Sequence, residues 1–198
     1  DSLNAQADSQ QKLAALEKQL AQAPRQTQEA HRELEKLKAT KVAPVAQRYA
    51  NTAVAQLEQI LSERSAQLSD WQKQLNDANT LIVTAQTRPE RAQAEISSNQ
   101  TRAQQINSQL KSGREENKPL GAERVNQLKA ELGALNALSQ LRRQEMAGNS
   151  VMQDLGSAQR DLLDERIKRL DVELQDLQNL INEKRRDQSE RTVAEHSK

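Results

Sequence analysis

Apolar residues recur along this chain at alternating intervals of three and four. Val54, Leu57, Leu61, Leu68, Trp71, Leu75, Ala78 and Ile82 keep that spacing, with Arg64 the one polar residue in the register. A seam of roughly four heptads predicts an amphipathic helix that buries one stripe against its neighbours. The rhythm returns in Ile96, Ala103, Ile106 and Leu110, where Asn99 fills the intervening position. It returns again in Val125, Leu128, Leu132, Leu135 and Met146, diluted by Ser139 and Arg142. The cleanest copy is Leu163, Ile167, Leu170, Leu174, Leu177 and Ile181. A disordered polyampholyte does not keep such a phase.

The interruptions predict where helices end. In Thr87-Arg88-Pro89-Glu90 the threonine suits an N-cap, Glu90 completes a capping box, and Pro89 falls in a first turn, where its missing N–H costs nothing. The residues from Lys111 to Gly121 string Gly113, Pro119 and Gly121 through a polar segment and read as a loop. At Gly148-Asn149-Ser150 the glycine suits a left-handed C-cap, and Ser150 with Gln153 offers a second capping box. Pro24 and Pro44 bound a short N-terminal helix carrying Leu34 and Leu37. The expected organisation is an N-terminal helical segment, 1–44, followed by a long-helix bundle, 45–198, with breaks near 87–89, 111–121 and 148–150. Helices from about Val45 to Gln86 and from about Ser150 to Arg191 would each run roughly 60 Å. The fold class is therefore all-α: an elongated antiparallel helical bundle or coiled coil of five to six helices, without strands.

Composition narrows this further. Only 35% of the 198 residues are hydrophobic, 1% are aromatic, and Phe and Cys are absent, so thin seams rather than a thick globular core must carry the packing. Lys and Arg number 29 against 28 Asp and Glu, with the signs interleaved; Asp164 with Lys168 and Glu165 with Arg169 form i,i+4 pairs. The basic clusters Arg142-Arg143 and Lys184-Arg185-Arg186 lack a stacking partner, and Tyr49 and Trp71 stand alone as packing residues, so nucleic acid is not an expected partner. No run approaches the roughly 18 apolar residues of a membrane span. Asp1 takes the place of an initiator Met, which suggests a processed or excised piece.

Candidate chemistry is sparse. His31 and His196 are the only histidines, and no Glu-x-x-His pair accompanies them, so a dinuclear metal bundle has no ligand set. Without cysteine there is no thiol for zinc or redox work, and no Gly-rich loop follows a strand to cradle a nucleotide. Carboxylates lie among basic neighbours, the arrangement of a solvated surface rather than of an acid/base pair. Neither catalysis, cofactor binding nor a metal site is expected.

Two turn motifs carry a resemblance. Thr87-Arg88-Pro89-Glu90-Arg91, ending one long helical run, and Gly148-Asn149-Ser150-Val151-Met152-Gln153-Asp154, opening the last, stand in the order found in the N-terminal extracytoplasmic region of large MscS-type mechanosensitive channels. The chain resembles that region, the so-called MscS porin domain, most closely in its MscK (KefA) type, over roughly Val45 to Ala194. The resemblance implies a periplasmic, non-catalytic domain of an inner-membrane channel that opens under membrane tension. Its implied partners are the transmembrane channel part of the same polypeptide and, by self-association, further copies around the channel axis, seven in such a parent. A literal pore reading is opposed by the absence of ten-residue alternating strands. The second functional expectation is a free-standing periplasmic coiled-coil adaptor or scaffold, whose helical rod would look the same in sequence.

Overall fold

The computed structural model describes residues 1–197. It contains α1 (Ser2–Ala39), α2 (Val45–Arg48), α3 (Val54–Ser112), the strands β1 (Arg114–Glu115) and β2 (Lys118–Pro119), α4 (Ala122–Ala147) and α5 (Asn149–His196). The chain is thus almost entirely helical, and among the described residues no helix is long and apolar enough to cross a membrane.

Three of the expected helix ends fall elsewhere. No break occurs at 87–89: α3 runs through Pro89 for 59 residues. The physical reason is the seam, because Val54 through Ile82 and Ile96 through Leu110 are one register, continued between them by Ala85, Pro89 and Ala92. A turn would have no need to preserve that phase. Pro24 likewise lies inside α1 rather than at a boundary. Apart from Glu33, the less exposed positions of α1, Ser2, Gln6, Ser9, Leu13, Leu16, Leu20, Ala23, Thr27, Ala30, Leu34 and Leu37, also step by three and four through the proline. An interior proline costs about 3 kcal/mol, and burial of a seam on both sides offsets it. At the other end of the expected long helix, the chain leaves helix after Arg48 and re-enters it only at Val54.

The segment after α3 is a loop, and it holds a pair of strands where none was expected. Gly113 adopts φ 69° and closes α3, its N–H donating to the Gln109 carbonyl at 2.9 Å. Arg114 pairs with Pro119 and Glu115 with Lys118 across a tight antiparallel hairpin. Its two turn residues, Glu116 and Asn117, both take positive φ, as a two-residue hairpin turn requires. Strands of two residues are too short to show alternation in sequence. Arg124, in the first turn of α4, grips Glu115 with two hydrogen bonds of 2.8 and 2.9 Å and ties the hairpin down.

At the third interruption α4 ends on Gly148 with φ −90°, not in the left-handed region. The position needs glycine for space instead: a Cβ there would press into both methyls of Leu20. Because α5 already begins at Asn149, Ser150 lies within its first turn.

Two compact units are distinguished. One comprises Asp1–Gln26 and Leu81–Leu155, the other Thr27–Thr80 and Gly156–Lys198. The first buries many small side chains, Ala23, Ala85, Ala92, Ala137 and Ser139, beside Ile82, Ile96, Ile106, Leu128, Leu141 and Leu155. Small residues at a seam allow helix backbones to approach closely.

The second unit has two apolar clusters. Val45, Leu57, Leu177, Leu180 and Ile181 form one, with Tyr49, Val54, Ile60 and Leu61 packed against it; Ala30, Ala158 and Leu162 form the other, flanked by Leu34 and Leu37. Beside the first cluster, Lys184 Nζ donates to the carbonyls of Tyr49, Ala50 and Thr52 at 3.2, 2.9 and 2.6 Å, satisfying the bend between α2 and α3. Arg166 stacks over the Trp71 ring, 5.6 Å from its centroid, and bonds Glu33 at 2.7 Å.

Candidate functional site at the proline junction

A proline inside a helix leaves one carbonyl without its N–H. For Pro89 that carbonyl belongs to Ala85, four residues earlier. Ala85 is 3% exposed, so water has little access to replace the lost donor. The Asn149 side chain does replace it: its Nδ2 donates to the Ala85 carbonyl. The two motifs picked out in the sequence, one around Pro89 and one around Gly148, are therefore halves of one contact.

The neighbouring groups fix this arrangement. Gly148 brings the start of α5 against Leu20, which sets the position of Asn149. Among the described residues the Asn149 Oδ1 is buried without a partner, and exchanging it with Nδ2 would point an acceptor at the Ala85 carbonyl, so the amide has one usable orientation. Thr87 does not cap a new helix. Its hydroxyl donates back to the Val83 and Thr84 carbonyls at 3.1 and 3.4 Å, bonding the turn just before the proline. Glu90 is exposed.

A chain of charges flanks the junction. Arg88 Nε lies 3.1 Å from Glu145 Oε2, Arg142 Nη1 2.5 Å from Glu145 Oε1, and Arg142 Nε 2.8 Å from Glu95 Oε2. These side chains, with Thr84, Thr87, Arg91 and Ala92, line a cleft of about 450 Å³. Burial pulls the Arg142 guanidinium down, but its hydrogen bonds to Glu145 and Glu95 outweigh that and hold it above its usual range. Both carboxylates of the cleft are thus paired with guanidiniums.

The ladder continues along α3 and α4. Asn99 Nδ2 donates to Ser139 Oγ at 3.4 Å, and Arg102 bonds Glu131 through Nε and Nη2 at 2.7 and 3.0 Å. Partners rise on α3 as they fall on α4, the register of an antiparallel pair. Asn99, Ser139 and Arg142, which dilute their separate seams in sequence, are cross-helix partners here. A polar pair within an apolar seam fixes register, because a slip leaves it unpaired.

The remaining sequence-predicted residues separate into distinct places. Leu57, Ile82, Leu170, Leu177 and Ile181 are buried, while Leu61, Leu68, Trp71, Leu75, Ile167 and Leu174 are half-buried. Gly113 and Pro119 sit at the hairpin, the glycine closing α3 and the proline ending β2. His31 and His196 are both exposed, and among the described residues no group of three or more metal-ligating side chains converges. Sequence reasoning missed Asn149, Ala85, Glu95, Glu145 and the carbonyl-binding Lys184. One signal was available for Ala85: it precedes Pro89 by the four residues of a helical hydrogen bond.

The profile of a family described as the mechanosensitive ion channel porin domain matches residues 1–198. Mechanosensitive channel MscK of Escherichia coli (strain K12) is 32% identical over 143 residues, which is 72% of this chain and 13% of that protein. The chain thus corresponds to a small part of that relative's length. No solved structure matches it.

Proposed function

Since the chain belongs to the mechanosensitive ion channel porin domain family, we propose that it acts as the periplasmic, non-catalytic domain of an MscS-superfamily channel of the MscK kind. The observation that carries this reading is the family match along the whole chain, residues 1–198. Its expected partner is the transmembrane channel part of the same polypeptide, and copies of the domain would gather around the channel axis. The family's word porin does not describe a barrel made by these residues: strands of two residues fall far short of the roughly nine to eleven that a membrane strand needs.

The proline junction supports a mechanical role. A helix with a pinned proline transmits force as a continuous element, and its ion-pair ladder resists sliding of α3 against α4. In this reading the domain biases gating, or couples it to the envelope, during osmotic stress. Patch recordings of the native channel with and without residues 1–198 test it. A changed tension threshold or adaptation rate is expected. Identical gating curves would remove the gating role, and a reading frame that ends soon after Lys198 would favour a free-standing adaptor instead.

A further inference from the structure

The second unit carries a cleft that the channel role leaves unused. It opens beside the connector between α1 and α2, holds about 740 Å³, and is lined by Lys38, Lys41, Arg48, Arg64 and Arg169 against only Glu173 and Asp176. In a chain with a net charge of +1, the lining holds five cations against two carboxylates, and Glu165 just outside it pairs with Arg169, which leaves a local excess of two positive charges.

The connector's own carbonyls hold two of these arginines. Arg48 Nε donates to the Ala43 carbonyl at 2.8 Å, and Arg169 Nη1 to the Thr40 carbonyl at 3.1 Å. Arg48 and Arg64 then share a single carboxylate oxygen, Glu173 Oε1, at 3.3 and 3.8 Å, so Glu173 neutralises one guanidinium and not both. Arg169 has its own partner in Glu165, 3.0 Å away and outside the cleft lining. Lys38 and Lys41 make no ion pair among the described residues.

Apolar groups stand beside the cations. Val42 and Val172 are 59% and 54% exposed, although they come from different elements and both border the same cleft. A bare inorganic ion would use the cations and leave the valines wet. A carboxylate would occupy one guanidinium fork, whereas a phosphoryl group offers three oxygens to donors arriving from several directions and carries up to two charges. The cleft volume lies in the range of sites for small organic ligands. The geometry points to a binding site for an organic phosphate, its phosphoryl group held by Arg48, Arg64, Lys38 and Lys41 and its apolar body against Val42 and Val172.

Phenyl phosphate, inorganic phosphate and benzoate, each titrated calorimetrically into the full chain, test the site. Phenyl phosphate is expected to bind about tenfold more tightly than either of the others. The combined substitution Lys38→Gln, Lys41→Gln and Arg64→Gln removes a single contact, the 3.8 Å one from Arg64 to Glu173; it is expected to weaken phenyl phosphate by at least about tenfold with the helical circular dichroism unchanged. Val172→Asp is expected to abolish the preference over inorganic phosphate. Flotation with phosphatidylcholine vesicles, with and without phosphatidic acid, separates the sources. Capture by phosphatidic acid that phenyl phosphate competes away identifies a lipid headgroup, and phenyl phosphate binding without capture identifies a soluble organic phosphate. Absence of phenyl phosphate binding at millimolar concentration, or equal binding by the triple variant, overturns the proposal.

Discussion

Asn149 donates its side-chain amide to the carbonyl of Ala85, the acceptor that Pro89 leaves without a backbone partner. The contact joins the first turn of α5 to the interior of α3 and allows the proline to sit inside a continuous helix.

A double-mutant cycle isolates that relationship. Asn149→Ala strands a buried carbonyl and is expected to cost about 1–3 kcal/mol in urea unfolding. Pro89→Ala restores the Ala85 bond within α3, so in that background Asn149→Ala is expected to cost only a few tenths, a coupling on the order of 1 kcal/mol. Equal cost in both backgrounds would mean that Asn149 acts through some other contact.

Gly148 and Gly113 are expected to resist alanine for different reasons. At Gly148 the new methyl meets Leu20, an overpacking cost of about 1–3 kcal/mol that Leu20→Ala in the same chain should relieve. At Gly113 nothing lies within 4 Å of a Cβ, but φ is 69°, so the cost is the roughly 1–2 kcal/mol of the left-handed backbone and no neighbouring truncation rescues it. Thermal melts of Gly113→Ala, and of Gly148→Ala with and without Leu20→Ala, separate the cases.

Lys184 is expected to govern the bend between α2 and α3. Lys184→Met leaves three carbonyls without their donor, and amide hydrogen exchange at residues 49–53 should accelerate by about tenfold or more, as local opening becomes easier. Lys184→Arg is expected to rescue poorly, because a planar fork does not present three donors from one point. Unchanged exchange in Lys184→Met would show that the bend is held by its apolar cluster alone.

Acid should loosen the ladder. The hydrogen bond from Arg102 holds Glu131 below the usual glutamate value, and the bond from Arg124 does the same for Glu115. A depressed folded-state value means that the unfolded chain takes up protons first, so the stabilisation is present above the ordinary value of about 4.3 and is lost as pH falls through the lowered one. Both groups are partly solvated, which keeps each contribution small. Glu131→Gln is expected to flatten the acid limb of the stability curve while leaving its slope near neutrality unchanged. An acid limb as steep as that of the parent chain would assign the pH dependence elsewhere.

Much of the helical fold was legible because a seam is a periodic signal. The register around Leu57 and that around Ile181 can be counted directly, and both residues end in the same apolar cluster. Punctuation was harder to read. Pro24 and Pro89 carry the local chemistry of helix starts, yet packing on both sides decided otherwise, and the phase linking Ile82 to Ile96 through Ala85 and Ala92 was the better guide. The hairpin at Glu116-Asn117 depends on positive backbone angles that two ordinary polar residues do not announce. The contacts between elements were least visible, since Asn149 with Ala85, or Lys184 with Thr52, pair a side chain with a backbone atom distant in sequence, and backbone atoms leave no mark in the alphabet.

The unbroken register of α3 also sets a rule of length. One residue inserted between Arg102 and Leu110 would rotate Arg102 by about 100° relative to the chain beyond the insertion and carry it away from Glu131. Whole heptads can be added or removed with little of that rotation, so a chain of this kind can be lengthened only in steps of about ten ångströms. Reach becomes quantised, and a variant with seven residues spliced into the seam would be a ruler for whatever distance the domain has to span.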